Sequence, residues 1–137
     1  MRKIIYLIVT FFILISCSSG DDEMDERLLS SGTTMTMEEN IKGDFISDAH
    51  PTSGMVNVNE DKTVLSLNNF KTDDGPKLLL YLTTDLDVND YVDLGDLKGI
   101  EGDFDYDIPA NTDLEKYKYV VVWCVDFSVS FGHAELE

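Results

Sequence analysis

The chain has 137 residues, with 10 Lys and Arg against 27 Asp and Glu, and a formal net charge of −17 at pH 7. A chain of this length predicts one folded domain with a tether rather than two domains. Because a nucleic-acid-binding protein must bring lysines and arginines to the phosphates, this charge excludes nucleic acid as an expected partner.

The first seventeen residues have the pattern of an export signal. Arg2 and Lys3 precede a largely apolar run from Ile4 to Ile15, which is shorter than the roughly twenty residues of a membrane span but suits a signal-peptide core. The segment Leu14-Ile-Ser-Cys17 resembles the lipobox of bacterial lipoproteins. That resemblance implies a signal peptide over residues 1–16 and a lipidated Cys17 as the mature N-terminus. An ordinary signal peptide or an uncleaved anchor is the alternative.

The lipobox resemblance also implies a location. We expect a membrane-anchored lipoprotein of the bacterial cell envelope, at the outer membrane, in the periplasm or exposed on the surface. The lipid rather than charge would hold the protein to the membrane, because the acidic chain repels an anionic bilayer surface. Residues 17–40 are polar, acidic and aperiodic, which predicts a disordered tether before a domain over residues 41–137.

From Gly43 onward, apolar residues alternate with polar ones, and turn residues recur every eight to twelve positions. This pattern is typical of a sandwich or barrel, and it predicts an all-β domain, an antiparallel β-sandwich of about seven short strands. The clearest predicted strands are Met55–Asn59, Val64–Asn68, Lys77–Thr83, Tyr91–Leu94, Gly102–Pro109 and the long run Tyr119–Phe131. The continuous apolar run Lys77–Thr83 predicts burial on both faces, and Asp113–Tyr117 predicts about one helical turn.

The long last run predicts how Cys124 is oriented. Successive side chains of a strand alternate between faces, and one face of this run is entirely large and apolar, which predicts that it faces the core. Its members are Tyr119, Val121, Trp123, Val125, Phe127, Val129 and Phe131. Cys124 shares the other face with Asp126 and Ser128, so we expect it to point away from the core.

Cys124 is the only free thiol of the mature chain if Cys17 is lipidated, which is unusual for an exported protein. Asp126 and the negative charge of the chain disfavour a thiolate, and there is no Cys-X-X-Cys motif, so a disulfide-exchanging cysteine is disfavoured. A soft metal or a haem iron would stabilise the thiolate. A small buried hydrophobe is the alternative.

A set of short motifs in order resembles a known family. The motifs are Gly43-Asp-Phe45, His50, Ser53-Gly54, Leu67-Asn-Asn-Phe70, Gly75-Pro76, Leu80-Tyr-Leu82, Leu94-Gly-Asp-Leu-Lys-Gly99, Tyr106-Asp-Ile-Pro109, Val122-Trp-Cys124 and Phe127-Ser-Val-Ser-Phe-Gly-His-Ala134. Together they resemble the electron-transfer domain numbered thirteen in the DM series, which is often found beside DOMON domains. The resemblance covers Gly43 to about Leu136.

The family resemblance implies a redox role for Cys124, as a bare thiol or as a ligand of a prosthetic group. His50 matches a family position, and we expect Cys124 and His50 to be the cofactor-binding residues. An imidazole with a thiolate suits haem or copper, and His133 is a second candidate imidazole. The implied partner is a redox partner protein.

Two acidic segments have the spacing of possible cation sites. Residues 85–96 have the spacing of a calcium-binding loop. However, Asp90 stands at the position where the tight turn needs glycine, and Asp96 stands at the position where glutamate is usual. These departures favour a solvated loop. Asp103, Asp105 and Asp107 alternate along one strand. They indicate either a cation or basic partner or an edge strand charged against aggregation.

These observations predict a monomeric redox or prosthetic-group-binding module anchored through an N-terminal lipid, rather than a stand-alone enzyme. The alternative is a non-catalytic binding or structural lipoprotein, with a cation, a glycan or a protein as its ligand. Cys124 would then be a buried core residue.

Overall fold

The computed structural model describes residues 40–137, which form eight β-strands and no helix. The strands are β1 (Lys42–Ser47), β2 (Ser53–Val58), β3 (Val64–Lys71), β4 (Leu78–Thr83), β5 (Tyr91–Asp96), β6 (Glu101–Asp107), β7 (Tyr119–Cys124) and β8 (Val129–Glu135). All their pairings are antiparallel. The predicted all-β antiparallel class is therefore confirmed.

The strands form one sheet in the order β5-β4-β7-β8-β1-β2-β3-β6. The first half of β1 (Lys42–Asp44) pairs with β2, and its second half (Phe45–Ser47) pairs with β8. A strand shared in this way makes a corner between two layers. The two edge strands, β5 and β6, are consecutive in the chain and are joined by residues 97–100, so the sheet nearly closes on itself.

The core lies between the two layers and takes side chains from both. Val56 and Leu67 come from one layer and are 0% exposed; Leu80 and Val122 come from the other and are also 0% exposed. In β4 all six residues are buried, as the continuous apolar run predicted. Burial of apolar surface on this scale is the main source of stability for such a domain.

The predicted long last strand is wrong, because the run Tyr119–Phe131 is two strands joined by a turn at residues 125–128. Ser128 adopts a left-handed conformation there (φ 51°), and its N–H donates to the carbonyl of Val125 at 3.3 Å. The turn contains neither Gly nor Pro, the two residue types that most strongly indicate a break in a strand. This turn and the unrecognised strand β1 give eight strands rather than about seven.

The predicted facing of β7 is also wrong. Cys124 lies in the core at 0% exposure, whereas Trp123 is only half-buried on the outer face. Val125 and Phe127, which were expected in the core, are 38% and 68% exposed. Both faces of β7 are apolar, so the sequence pattern alone does not show which face lies inward. In the sheet Cys124 lies opposite the core residue Leu78 of β4, and this pairing places the cysteine on the inner face.

The acidic segments are explained by their positions in the sheet. Strand β6 is at an edge, and Asp103 and Asp105 accept hydrogen bonds from the Asn69 N–H (2.7 Å) and the Ser66 hydroxyl (2.5 Å). Charged side chains on an edge disfavour pairing with another chain. Residues 91–96 form strand β5, so residues 85–96 are not a single loop.

The remaining predictions concern one turn and the N-terminus. Residues 113–117 form a single turn, in which the Tyr117 N–H donates to the Asp113 carbonyl at 2.8 Å. Within residues 40–137 no helix has the length and apolarity needed to cross a membrane. The predicted signal peptide, Cys17 and nearly all of the tether lie outside the described residues.

Candidate functional site at the Cys124 end of the sheet

The two ends of the sheet carry different parts of the chain. One end, here called the Cys124 end, holds the β1–β2, β3–β4 and β5–β6 loops and the β7–β8 turn. Backbone hydrogen bonds join these segments: the Thr72 N–H donates to the Ile100 carbonyl (2.9 Å), and the Val125 N–H donates to the Lys77 carbonyl (3.0 Å). The other end, the terminal end, holds the start of β1 and the C-terminus. There Lys42 and Glu137 exchange two backbone hydrogen bonds of 3.1 and 2.9 Å.

Cys124 is the last residue of β7 and is fully buried. Its cross-strand neighbours are Leu78, a core residue, and Val129, which packs against the core. In these apolar surroundings the cysteine packs as a small hydrophobe.

The β3–β4 loop covers the side chains beside Cys124. A Cβ on Gly75 would lie 3.0 Å from the Leu78 Cδ2 and 3.0 Å from the Phe131 Cζ, so the bare glycine lets the loop backbone rest on both. Leu78 and Phe131 are 8% and 2% exposed. A reagent therefore reaches the sulfur of Cys124 only when side chains or loops at this end move.

His50 lies over Phe131 from the solvent side. The two rings stack with centroids 3.8 Å apart, and His50 Nδ1 is 3.0 Å from Asp73 Oδ2. The His50 N–H also donates to the Phe131 carbonyl at 3.2 Å. His50 thus ties the β1–β2 loop to β8 and to the β3–β4 loop. The structure brings His50 and Cys124 to the same end, the first at the surface and the second in the core.

Thr52 fixes the β1–β2 loop against β8, a role that the sequence did not indicate. Its hydroxyl lies 2.9 Å from the Thr72 hydroxyl and 3.1 Å from the Phe131 carbonyl, and the residue is 4% exposed. A Cβ on Gly132 would fall 2.4 Å from the Thr52 Cβ, so glycine is needed for this approach. The adjacent loops are thereby held together by buried polar contacts.

His133 belongs to a different cluster. Its Nδ1 is 2.9 Å from both carboxylate oxygens of Asp48, which also accepts the Ser130 hydroxyl at 2.6 Å. The Asp48 carboxylate lies between the Ser130 hydroxyl and the His133 imidazole. In a nucleophile–histidine–acid triad, by contrast, the histidine lies between the other two groups. Gly132 and Ala134 are buried while His133 is only half-buried, so the strand alternation puts His133 on the face away from Cys124. The structure therefore places His133 and Cys124 on opposite faces of the sheet.

A buried tyrosine of β6 holds the β5–β6 loop from below. Tyr106 is 1% exposed, and its phenol oxygen accepts the Lys98 N–H of the β5–β6 loop at 2.9 Å. Burial raises the pKa of Tyr106, an effect that this hydrogen bond partly offsets. The phenol is therefore neutral at physiological pH and acts as a structural anchor of the loop.

These residues do not fit a haem or a copper ion held jointly by Cys124 and a histidine. The Cys124 side chain has no exposed surface, His50 lies at the surface over the Phe131 ring, and His133 lies on the other face. Between Asn40 and Glu137, no three His, Cys, Asp or Glu side chains are gathered as metal ligands. Nor does any buried side-chain nitrogen or oxygen in that range lack a hydrogen-bond partner.

The comparisons with known proteins identify one family. A family model described as electron transfer DM13 matches residues 44–136, from β1 through β8 and including His50 and Cys124. No curated protein and no solved structure matches the chain. The resemblance drawn from the ordered motifs is thereby confirmed.

Proposed function

Because the chain belongs to the electron transfer DM13 family, we propose that its domain serves electron transfer through the Cys124 thiol and is carried by an envelope lipoprotein anchored at Cys17. The observation that carries the thiol assignment is its location. Cys124 is the only cysteine of residues 40–137 and stands where β7 meets the loops of the Cys124 end.

The thiol needs a change in the surrounding loops before it reacts. Exchange with a disulfide and oxidation to a sulfenic acid both proceed from an accessible thiolate. The β3–β4 loop covers Leu78 and Phe131, and His50 closes the same end through Phe131 and Asp73. Displacement of these elements would expose the sulfur, whose thiolate would attack a disulfide of a separate redox partner protein, forming a mixed disulfide and releasing the partner's second sulfur as a thiolate.

Complete burial of Cys124 favours a second candidate function. A non-catalytic binding or structural lipoprotein, with a cation, a glycan or a protein as ligand, would use Cys124 only to fill the core. The apolar neighbours Leu78 and Val129 suit that role. The two functions differ in whether the thiol has a reversible redox couple in the folded protein.

A redox titration of the folded protein tests the proposal. The protein is purified from its own envelope, its absorbance spectrum is recorded, and the fraction of alkylated thiol is measured across glutathione buffers of different potential. We expect one reversible couple per chain, absent in Cys124→Ser and Cys124→Ala while circular dichroism shows the same β content.

The opposite result would assign Cys124 to the core. A thiol that is alkylated only after denaturation at every potential, in a protein without a bound chromophore, would favour the second function. In that case Cys124→Ser should still lower the free energy of unfolding by about 1 to 3 kcal/mol, because a hydroxyl is then buried in an apolar site.

A further inference from the structure

We propose that the Cys124 end carries a docking surface for a basic protein, centred on the β7–β8 turn. This surface, here called the distal surface, consists of Val125, Asp126 and Phe127 of the turn with Asp73 and Asp74 of the β3–β4 loop. The inference rests on the proposed function, since it identifies where the redox partner binds.

The first evidence is exposed apolar surface in a turn of four residues. Phe127 is 68% exposed and Val125 is 38% exposed. The turn is held by backbone hydrogen bonds from Ser128 to Val125 and from Val125 to Lys77, so the Phe127 ring is not needed to close it. Exposed aromatic rings of this kind are typical anchors of protein interfaces.

The second evidence is the charge around that apolar centre. Asp126 stands between Val125 and Phe127, and the adjoining loop contributes Asp74 together with Asp73, whose carboxylate also holds His50, against a single lysine, Lys77. An apolar anchor with an acidic rim is complementary to a partner that presents an apolar patch among lysines and arginines.

The overall charge distinguishes a basic protein from other occupants. A second copy of this chain would bring another net charge of −17 to the contact, and like charges oppose such association. The surface of an anionic membrane is disfavoured for the same reason. A cationic protein is the occupant that gains from both the apolar and the charged parts of the surface.

The third evidence is the position of the distal surface. The first and last described residues lie at the terminal end, where Lys42 pairs with Glu137, so neither of these two ends covers the distal surface. The turn directly follows Cys124, and the loop that carries Asp73 and Asp74 also covers Leu78 and Phe131. A partner bound here would contact the loop that closes access to the thiol.

Calorimetric titration of the full-length protein in detergent tests the inference. The probe is a lysine-rich c-type cytochrome at low ionic strength, with the same cytochrome after acetylation of its lysines as the uncharged control. We expect binding to the native probe only. Phe127→Ser should weaken that binding by about tenfold or more, and Asp74→Asn with Asp126→Asn should weaken it and reduce its salt dependence.

The matched control lies at the terminal end of the sheet. Leu86 is 46% exposed between Asp85 and Asp87 in the β4–β5 loop. Leu86→Ser with Asp87→Asn should leave binding unchanged. Equal weakening by the control variant, or full binding by Phe127→Ser, would show diffuse charge attraction and overturn the inference. Self-association that Phe127→Ser abolishes would overturn it in favour of a second copy.

The same titration separates this inference from the proposed function. Cys124→Ser retains the distal surface, so it should bind the cytochrome with unchanged affinity. Binding that depends on Phe127 in a protein without any redox couple would support the docking surface and contradict the thiol assignment. A redox couple in a protein whose binding does not depend on Phe127 would support the thiol assignment and contradict the docking surface.

Discussion

Among single residues, Phe131 carries more of the packing at the Cys124 end than Trp123 does. Phe131 is 2% exposed and stacks against His50, whereas Trp123 is half-buried on the outer face. We expect Phe131→Ala to lower the free energy of unfolding by about 3 to 5 kcal/mol. Trp123→Ala should cost less, because part of its surface already meets solvent.

Urea denaturation of the two variants measures this difference, and Phe127→Ala is the matched control. Its ring is 68% exposed, so its removal should change the free energy of unfolding by no more than about 0.5 kcal/mol, as is usual for surface positions. A larger loss for Trp123→Ala than for Phe131→Ala would mean that the outer face of β7 contributes more than its exposure indicates.

The sequence predicts Cys124 and His50 as candidate site residues, but it does not predict their surroundings. A lone cysteine is visible in any sequence, and its orientation is not, because both faces of β7 are apolar. The contacts of Thr52 with Phe131 and of Asp48 with His133 join residues 79 and 85 positions apart. Such long-range hydrogen bonds leave no local pattern.

At the scale of elements, the β7–β8 turn decides the number of strands. Ser128 has a φ of 51°, a conformation that costs an L-residue roughly 1 to 2 kcal/mol. Glycine adopts it freely but loses about 0.5 to 1 kcal/mol through the greater entropy of the unfolded chain. The first effect is larger, so Ser128→Gly should raise the free energy of unfolding by up to about 1 kcal/mol.

Thermal or urea unfolding measures the effect of Ser128→Gly, and Lys62→Gly provides a comparison. Lys62 has a φ of 56° in the β2–β3 turn, where its N–H donates to the Asn59 carbonyl at 2.9 Å. It should respond in the same direction. A loss of stability in Ser128→Gly would show that the serine side chain contributes to the turn more than its backbone strain costs.

The sequence predicted elements best where one face was clearly polar. Strands β2 and β3 alternate cleanly, and their inward residues Val56, Val58, Leu65 and Leu67 are all buried. Strand β1 was not recognised, because its pattern is interrupted by Gly43 and Asp44 and its two halves pair with different strands. The division of one strand between two layers depends on partners that lie far along the chain.

At the scale of the whole molecule, the charge and the positions of the chain ends bear on how the protein is held. The described domain starts at the terminal end of the sheet, opposite the thiol, and the chain carries 27 acidic residues. Electrostatic repulsion from an anionic bilayer leaves the lipid at Cys17 as the proposed attachment.

Replacing Cys17 tests that attachment. Each buried methylene of an acyl chain contributes about 0.8 kcal/mol to membrane binding, and Cys17→Ser removes every chain attached to that sulfur. We expect the variant to leave the membrane fraction, whereas Cys124→Ser, the matched control, should remain there with a lipid-modified N-terminus by mass spectrometry. Retention of Cys17→Ser in membranes with residues 1–16 still attached would instead show that the apolar run Ile4–Ile15 anchors the protein.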